Sequence, residues 1–268
     1  YSRVLSQFHS PTRPQSLSPL IYLGTDQLVS ALPLLLAELR HTLSDGDTIE
    51  CCLTPHSTQD WTIERAVDLA VGAGFTLNAP PTQQNENVHM DMPRIRSLSD
   101  TVAPAMRILV VGLNPSPYSA DHSIGYARPG NRFWPAALAA GIVSIDRDPL
   151  HAVQQHGLGM TDLVRRTTAR ADQVTGEEFH QGFERVERLA QWLQPRTVCF
   201  VGLGGWRQVV DRGATAGLQA RTVGGRPVYV MPHTSGLNAR SRLSDLTAHF
   251  CAASELADRS STKMPLSS

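Results

Sequence analysis

The chain has 268 residues, 41% of them hydrophobic, enough for one large domain or two small ones. Its formal net charge is zero, which argues against a uniformly basic nucleic-acid binder, and no apolar run approaches bilayer-spanning length. Cys51, Cys52, Cys199 and Cys251 form neither a CxxC pair nor a Cys/His cluster at metal spacing. No metal or other cofactor is therefore expected. All four are read as buried, reduced thiols of a cytosolic protein. No secretory pattern opens the chain, and a start at Tyr1 rather than Met is what a fragment would show.

The zero net charge hides an asymmetry. Residues 1–100 carry 6 Arg against 11 acids, net −5, whereas residues 101–257 carry 16 Arg against 12 acids, net +4. Of the 24 basic residues, 23 are Arg, a ratio that GC-rich codon usage produces without any functional cause.

In chain order, residues 1–19 are rich in Ser, Pro and Gln and read as a flexible lead. Residues 28–43 repeat Leu at helical spacing, a Ser44-Asp45-Gly46-Asp47 turn follows, and residues 48–53 read as a strand. A second helix is predicted over 61–73, closed by Gly74, with a strand at 75–77. On Leu36-Ala37-Glu38-Leu39-Arg40 with Ser44-Asp45-Gly46, and Ala73-Gly74-Phe75, residues 20–78 weakly resemble the C-terminal half of an S-adenosylmethionine-dependent methyltransferase. The glycine-rich cofactor loop of such a domain is absent, so the segment reads as a non-catalytic remnant. Residues 79–106, polar and proline-containing without periodicity, read as a linker.

From there strands and helices alternate. Strands are predicted at 107–112, 197–203 and 226–231. Helices are predicted at 131–140, 176–194, from Gly204-Gly205 onward and at 241–256, with residues 258–268 a flexible tail. β-branched strands separated by helices imply an α/β fold with a short parallel sheet covered on both faces, and function in such sheets gathers at the carboxyl ends of the strands. The peptides 112–119 and 232–240 fall there.

Four peptides stand in order across residues 107–250: Gly112-Leu113-Asn114-Pro115-Ser116, Arg128-Pro129-Gly130-Asn131-Arg132-Phe133-Trp134, Gly159-Met160-Thr161-Asp162-Leu163-Val164 and Pro232-His233-Thr234-Ser235-Gly236-Leu237. Together they resemble the mismatch-specific uracil/thymine DNA glycosylase family of the uracil-DNA glycosylase superfamily. The resemblance implies a three-layer α/β/α sandwich over residues 107–257. It also implies a monomeric repair enzyme that flips a mispaired pyrimidine out of double-stranded DNA and hydrolyses its glycosylic bond.

The same resemblance assigns roles. Asn114 orients the attacking water, without the charge that an Asp there would add. Gly112, Leu113, Asn131 and Phe133 form the substrate pocket: Phe133 stacks on the base, backbone amides near Leu113 and Phe133 read its edge, and Asn131 organises the loop. Ser116 and Ser119 contact phosphates. Ser235 and Gly236 precede Leu237, which fills the gap left in the stack, and Arg240 reaches the backbone. His233, where relatives usually have Asn, is expected to donate to a carbonyl of the departing base. Asp162 stands where some members have Lys, and Arg165, Arg166 and Arg170 form a basic run read either as a solvated face or as a DNA track. No lysine occurs in residues 1–262, which removes a side-chain Schiff base and its lyase step there. Two alternatives stay open: a nucleotide-binding α/β enzyme such as a methyltransferase, and a non-catalytic damage binder.

Overall fold

The computed structural model describes residues 20–56 and 61–262, so the flexible lead expected at 1–19 lies outside the described residues. Two sheets form. The first is built from β1 (Leu20–Leu23), β2 (Thr48–Leu53), β3 (Thr82–Gln84) and β4 (Asn87–Pro93), in the order β1-β2-β4-β3. β1 and β2 are parallel, and the β3–β4 hairpin joins antiparallel to β2. Helices α1 (Leu32–His41) and α2 (Ile63–Ala73) complete this lobe. α2 begins at Thr62, whose side chain accepts from the Arg65 amide, and ends at Gly74, whose φ of 94° suits glycine.

The linker expected over 79–106 is corrected on this point. β4 alternates Val88, Met90 and Met92 into the lobe's core with polar residues between them, and residues 97–106 pack onto the second domain, with Ser97, Asp100, Val102 and Met106 buried. The strand expected at 75–77 reduces to one bridge between Phe75 and Arg94.

The second sheet comprises β5 (Ile108–Gly112), β6 (Leu158–Asp162), β7 (Thr197–Val201), β8 (Gly217–Leu218) and β9 (Val228–Met231), ordered β6-β5-β7-β9-β8 and parallel except for β8 at its edge. Leu109 and Val111 point to one face, towards α6 (Gly176–Leu193) and Trp206 of α7 (Leu203–Val209). Ile108 and Val110 point to the other, towards α4 (Phe133–Ala139) and α8 (Leu243–Thr262). Burial of both faces explains the uninterrupted apolar strands. Two short helices, α3 (Pro117–His122) and α5 (Pro149–His156), fill the crossover between β5 and β6.

α8 extends the expected last helix to Thr262, and Asp258 accepts a paired hydrogen bond from Arg107, just before β5; the tail expected from 258 is thus helical as far as it is described. Cys51, Cys52 and Cys199 are buried as expected, whereas Cys251 is half-buried. No helix among the described residues is long and apolar enough to cross a membrane.

The lobes are joined through charged groups. Arg188 of α6 donates two hydrogen bonds to Asp68 of α2, at 2.7 and 2.8 Å. More deeply, Asp100 takes Arg165 on one carboxylate oxygen (2.8 Å) and Arg185 on the other (2.7 Å), while Arg165 also donates to the carbonyls of Gly72 and Leu98. Arg165 therefore does not track DNA, and its neighbours are engaged too: Arg166 pairs with Glu178 and Arg170 with Asp172. Arg165 is structural, whereas the Arg166 and Arg170 pairs lie at the surface.

Candidate active site

The carboxyl ends of β5, β6 and β9 open into a cleft of about 250 Å³, whose floor and walls include Leu113, Asn114, Tyr126, Asp162 and His233. Its location follows from the parallel sheet, whose strand-to-helix loops all leave on this side. One wall comes from the segment ahead of β5: Leu98, Ser99 and Thr101 line the cleft, and Thr101 exchanges two backbone hydrogen bonds with Met160, covering the free edge of β6.

Asn114 lies two residues past β5. Its amide nitrogen donates to the Thr168 hydroxyl at 2.8 Å and to the Arg166 carbonyl at 3.2 Å. With both donors committed to one loop, the amide is held in a single orientation and its Oδ1 is the acceptor left for a ligand or water. Thr168 was not foreseen, since a threonine in a basic stretch carries no signal of its own. Gly112 ends β5 beneath the cleft floor. A Cβ there would collide with Asp162 Oδ1 and stand 2.9 Å from the Tyr126 hydroxyl, so glycine is required for this close approach. Leu113 is half-buried on the cleft wall, and its carbonyl accepts from the Val164 amide at 2.9 Å.

The aromatic expected to stack on the base is placed elsewhere. Phe133 is fully buried and does not line the cleft. It lies flat against Tyr126, with ring centroids 4.1 Å apart and planes 3° from parallel, and is wedged edge-on by Trp134 and Phe250. Tyr126 is the aromatic that faces the cleft, and Phe133 is its backing. The Phe133 amide is also taken, donating to Asn131 Oδ1 at 3.0 Å, so it is no reader of a pyrimidine edge; Asn131 itself organises the loop from the cleft rim. Tyr126 adopts φ of 59°, an uncommon conformation for a bulky residue, held here by the stacked pair.

Ser116 caps α3 by accepting from the Ser119 amide, and the two hydroxyls sit 3.2 Å apart on the cleft wall. Opposite them, the loop after β9 is held from beneath by Arg132, which donates to the carbonyls of Ser235 (2.9 Å), Asn238 (2.8 Å) and Ser241. Asn238 adds bonds to the His233 carbonyl and the Ser241 hydroxyl. Neither clamp was foreseen; Arg132 stands inside the second motif, where its charge would suggest DNA rather than a loop.

The clamp fixes a tip from which Leu237 projects, 83% exposed. Gly236 is needed for a reason internal to the fold, because a Cβ there would come within 2.8 Å of the Gly130 carbonyl oxygen. Ser235 lines the cleft and accepts from the Leu237 amide, while Arg240 extends from the same loop into solvent. His233 borders the cleft; partial burial, and secondarily Arg132, hold its imidazole below the usual histidine range and so neutral at pH 7. The cleft thus gathers Asn114, Tyr126, His233, Ser116, Ser119 and Ser235, with Leu237 at its lip and Phe133 behind its wall.

The solution NMR structure of a candidate uracil DNA glycosylase from Methanosarcina acetivorans aligns with a TM-score of 0.44 at 21% identity, over 60% of this chain and 97% of that one. The family description of the uracil DNA glycosylase superfamily matches residues 99–255, from the segment that walls the cleft to the last helix. This match spans every element that builds the cleft, and the chain belongs to the uracil DNA glycosylase superfamily.

Proposed function

We propose that the protein is a monofunctional, mismatch-specific DNA glycosylase. It extrudes uracil from G:U pairs, and thymine or modified pyrimidines in the same setting, and releases the base by hydrolysis in base excision repair. The observation that carries this reading is the anchored Asn114 amide, whose acceptor oxygen is left at a cleft flanked by an aromatic face and an exposed leucine.

The chemistry follows from those groups. Leu237 enters the stack as the nucleotide leaves, since an apolar wedge fills the gap without asking for hydrogen bonds. The flipped pyrimidine lies against Tyr126, a contact of about 1–3 kcal/mol for base–aromatic stacking. Asn114 Oδ1 accepts a hydrogen bond from a water and aims it at the sugar carbon as the glycosylic bond lengthens. Negative charge gathers on the departing base, and the neutral His233 donates to its carbonyl. Asn114 supplies orientation but no negative charge against the cationic sugar, so the enzyme turns over slowly. Ser116, Ser119 and Arg240 hold flanking phosphates.

Residues 20–78 are read as a methyltransferase-like remnant rather than a second catalytic unit. A single experiment tests the whole reading: base release from G:U, G:T and A:U duplexes and from single-stranded uracil DNA. Release from G:U ahead of A:U and single strands is expected. Tight binding to mismatched duplex with no release from any substrate would instead indicate a damage-binding protein.

A further inference from the structure

Two routes from the first lobe converge on one residue of the loop after β6. The Arg165 guanidinium donates to the Gly72 carbonyl of α2 at 2.7 Å, to the Leu98 carbonyl, and to Asp100 at 2.8 Å. The main-chain carbonyl of Arg165 accepts from the Ser97 hydroxyl. Ser97 is held in turn by Arg40 of α1, which donates to the Ser97 carbonyl at 2.7 Å and to that of Ile95 at 3.2 Å. Arg40, Ser97 and Arg165 are all buried. Helix α2 thus grips Arg165 by its side chain, and α1, through Ser97, by its backbone.

The same loop carries both anchors of Asn114, the Arg166 carbonyl one residue on and the Thr168 hydroxyl two residues further. Ahead of Arg165 the loop is tied to its own domain, since the Leu163 and Val164 amides donate to the Gly112 and Leu113 carbonyls at 2.9 Å. Beyond Arg165, the Arg166 side chain reaches Glu178 and the Gln173 carbonyl, but at the surface, where an ion pair holds weakly. The buried bonds that pin Arg165 lead instead to the first lobe and to the segment it holds.

We propose that Arg165 is a positioning residue through which the first lobe sets the orientation of the Asn114 amide. This rests on the glycosylase reading above, in which Asn114 aims the water. Arg165 touches no reacting atom and acts only through the Arg166 carbonyl and the Thr168 hydroxyl. An amide that donates to two fixed acceptors cannot turn; when the acceptors shift, its Oδ1 swings off the line of attack. A misplacement of about 1 Å costs on the order of 10²-fold in rate. The planar fork of arginine reaches a carboxylate and two carbonyls at once, whereas a lysine brings the charge without the fork.

The test is a double-mutant cycle on single-turnover uracil release from G:U duplex, by wild type, Arg165→Lys, Asn114→Ala and the double variant. Arg165→Lys is expected to lower the rate about tenfold or more at unchanged duplex affinity. Beside Asn114→Ala the same substitution is expected to change the rate by less than about twofold, because residues that act as a unit are not additive. A purely structural role would cost the same in both backgrounds. Equal losses in the two backgrounds, or no loss in either, overturn the proposal. No release by wild type would fail the glycosylase reading and this inference with it, whereas release with equal losses fails the inference alone. Should Arg165→Lys not fold, Ser97→Ala takes its place in the cycle, removing the hydroxyl on the Arg165 carbonyl and keeping the guanidinium. A loss of about threefold or more that vanishes beside Asn114→Ala is then expected, and equal losses, or none, overturn the proposal.

Discussion

The two lobes carry the same local motif, a pair of parallel strands whose carboxyl ends meet, and use it differently. In the first lobe β1 and β2 end at Leu23 and Leu53, and the chain closes over them. The Thr25 and Thr54 hydroxyls bond each other at 2.8 Å, the Thr54 amide donates to the Leu23 carbonyl, and the Leu32 side chain occupies the space beside Gly24. The groups named here thus partner one another across the two strand ends. In the second lobe β5 and β6 end at Gly112 and Asp162, the loop after β5 runs on to α3, and among the described residues Asn114 Oδ1, the Asp162 carboxyl and the Tyr126 hydroxyl have no hydrogen-bond partner. A parallel strand end therefore becomes a site only when the polar groups around it are held in place and left unsatisfied.

The largest expected effect comes from breaking the join between the lobes. Asp100→Ala leaves Arg165 and Arg185 buried without their carboxylate, and removing one partner of a buried ion pair costs about 3–5 kcal/mol. Chemical denaturation should show a loss of that size; a change below about 1 kcal/mol would mean the join does not hold the fold. Next in size is the aromatic wall. Tyr126→Ala is expected to lower uracil excision by about 1–3 kcal/mol of lost stacking, roughly 5- to 150-fold. A rate within twofold of wild type would return the stacking role to another group.

A smaller effect is expected at the lip. Leu237→Ala removes a side chain that packs on little, so stability should stay within about 0.5 kcal/mol. Excision from duplex should drop about tenfold, part of the few kcal/mol that unstacking a base step costs, while single-stranded substrate is spared. Equal losses on both substrates would argue against a wedge. Least of all, Thr54→Val in the closed lobe should cost under about 1 kcal/mol by thermal melting and leave excision unchanged. A clear fall in excision would show that the first lobe's strand ends do contribute to the site.

Much of this arrangement was legible in the residue order, and the misses have physical causes. The runs at Ile108–Gly112, Thr197–Val201 and Val228–Met231 are buried on both faces and so read as strands at once. Leu158–Asp162 escaped because a glycine, a threonine and an aspartate break the apolar run, yet this strand delivers Asp162 to the cleft. The β3–β4 hairpin was hidden by its polar turn, although Val88, Met90 and Met92 do alternate as a half-buried strand should. Within the second motif a linear pattern cannot say which of two stacked aromatics faces outward, and the visible part of the motif favoured Phe133 over Tyr126. Arg165 was open to reading as a solvated or a DNA-tracking residue, and not as a buried one, because its partner, Asp100, lies 65 residues earlier in the chain.

The central claim is that the Asn114 amide aims a water at the glycosylic bond of a base held in this cleft. Single-turnover excision from a G:U duplex by Asn114→Ala, measured beside duplex affinity, tests it most directly. The rate should fall about 10²-fold or more while affinity stays near wild type, the pattern of a group that acts in the chemical step. An unchanged rate, with the duplex bound as before, would remove Asn114 from the mechanism and contradict the account.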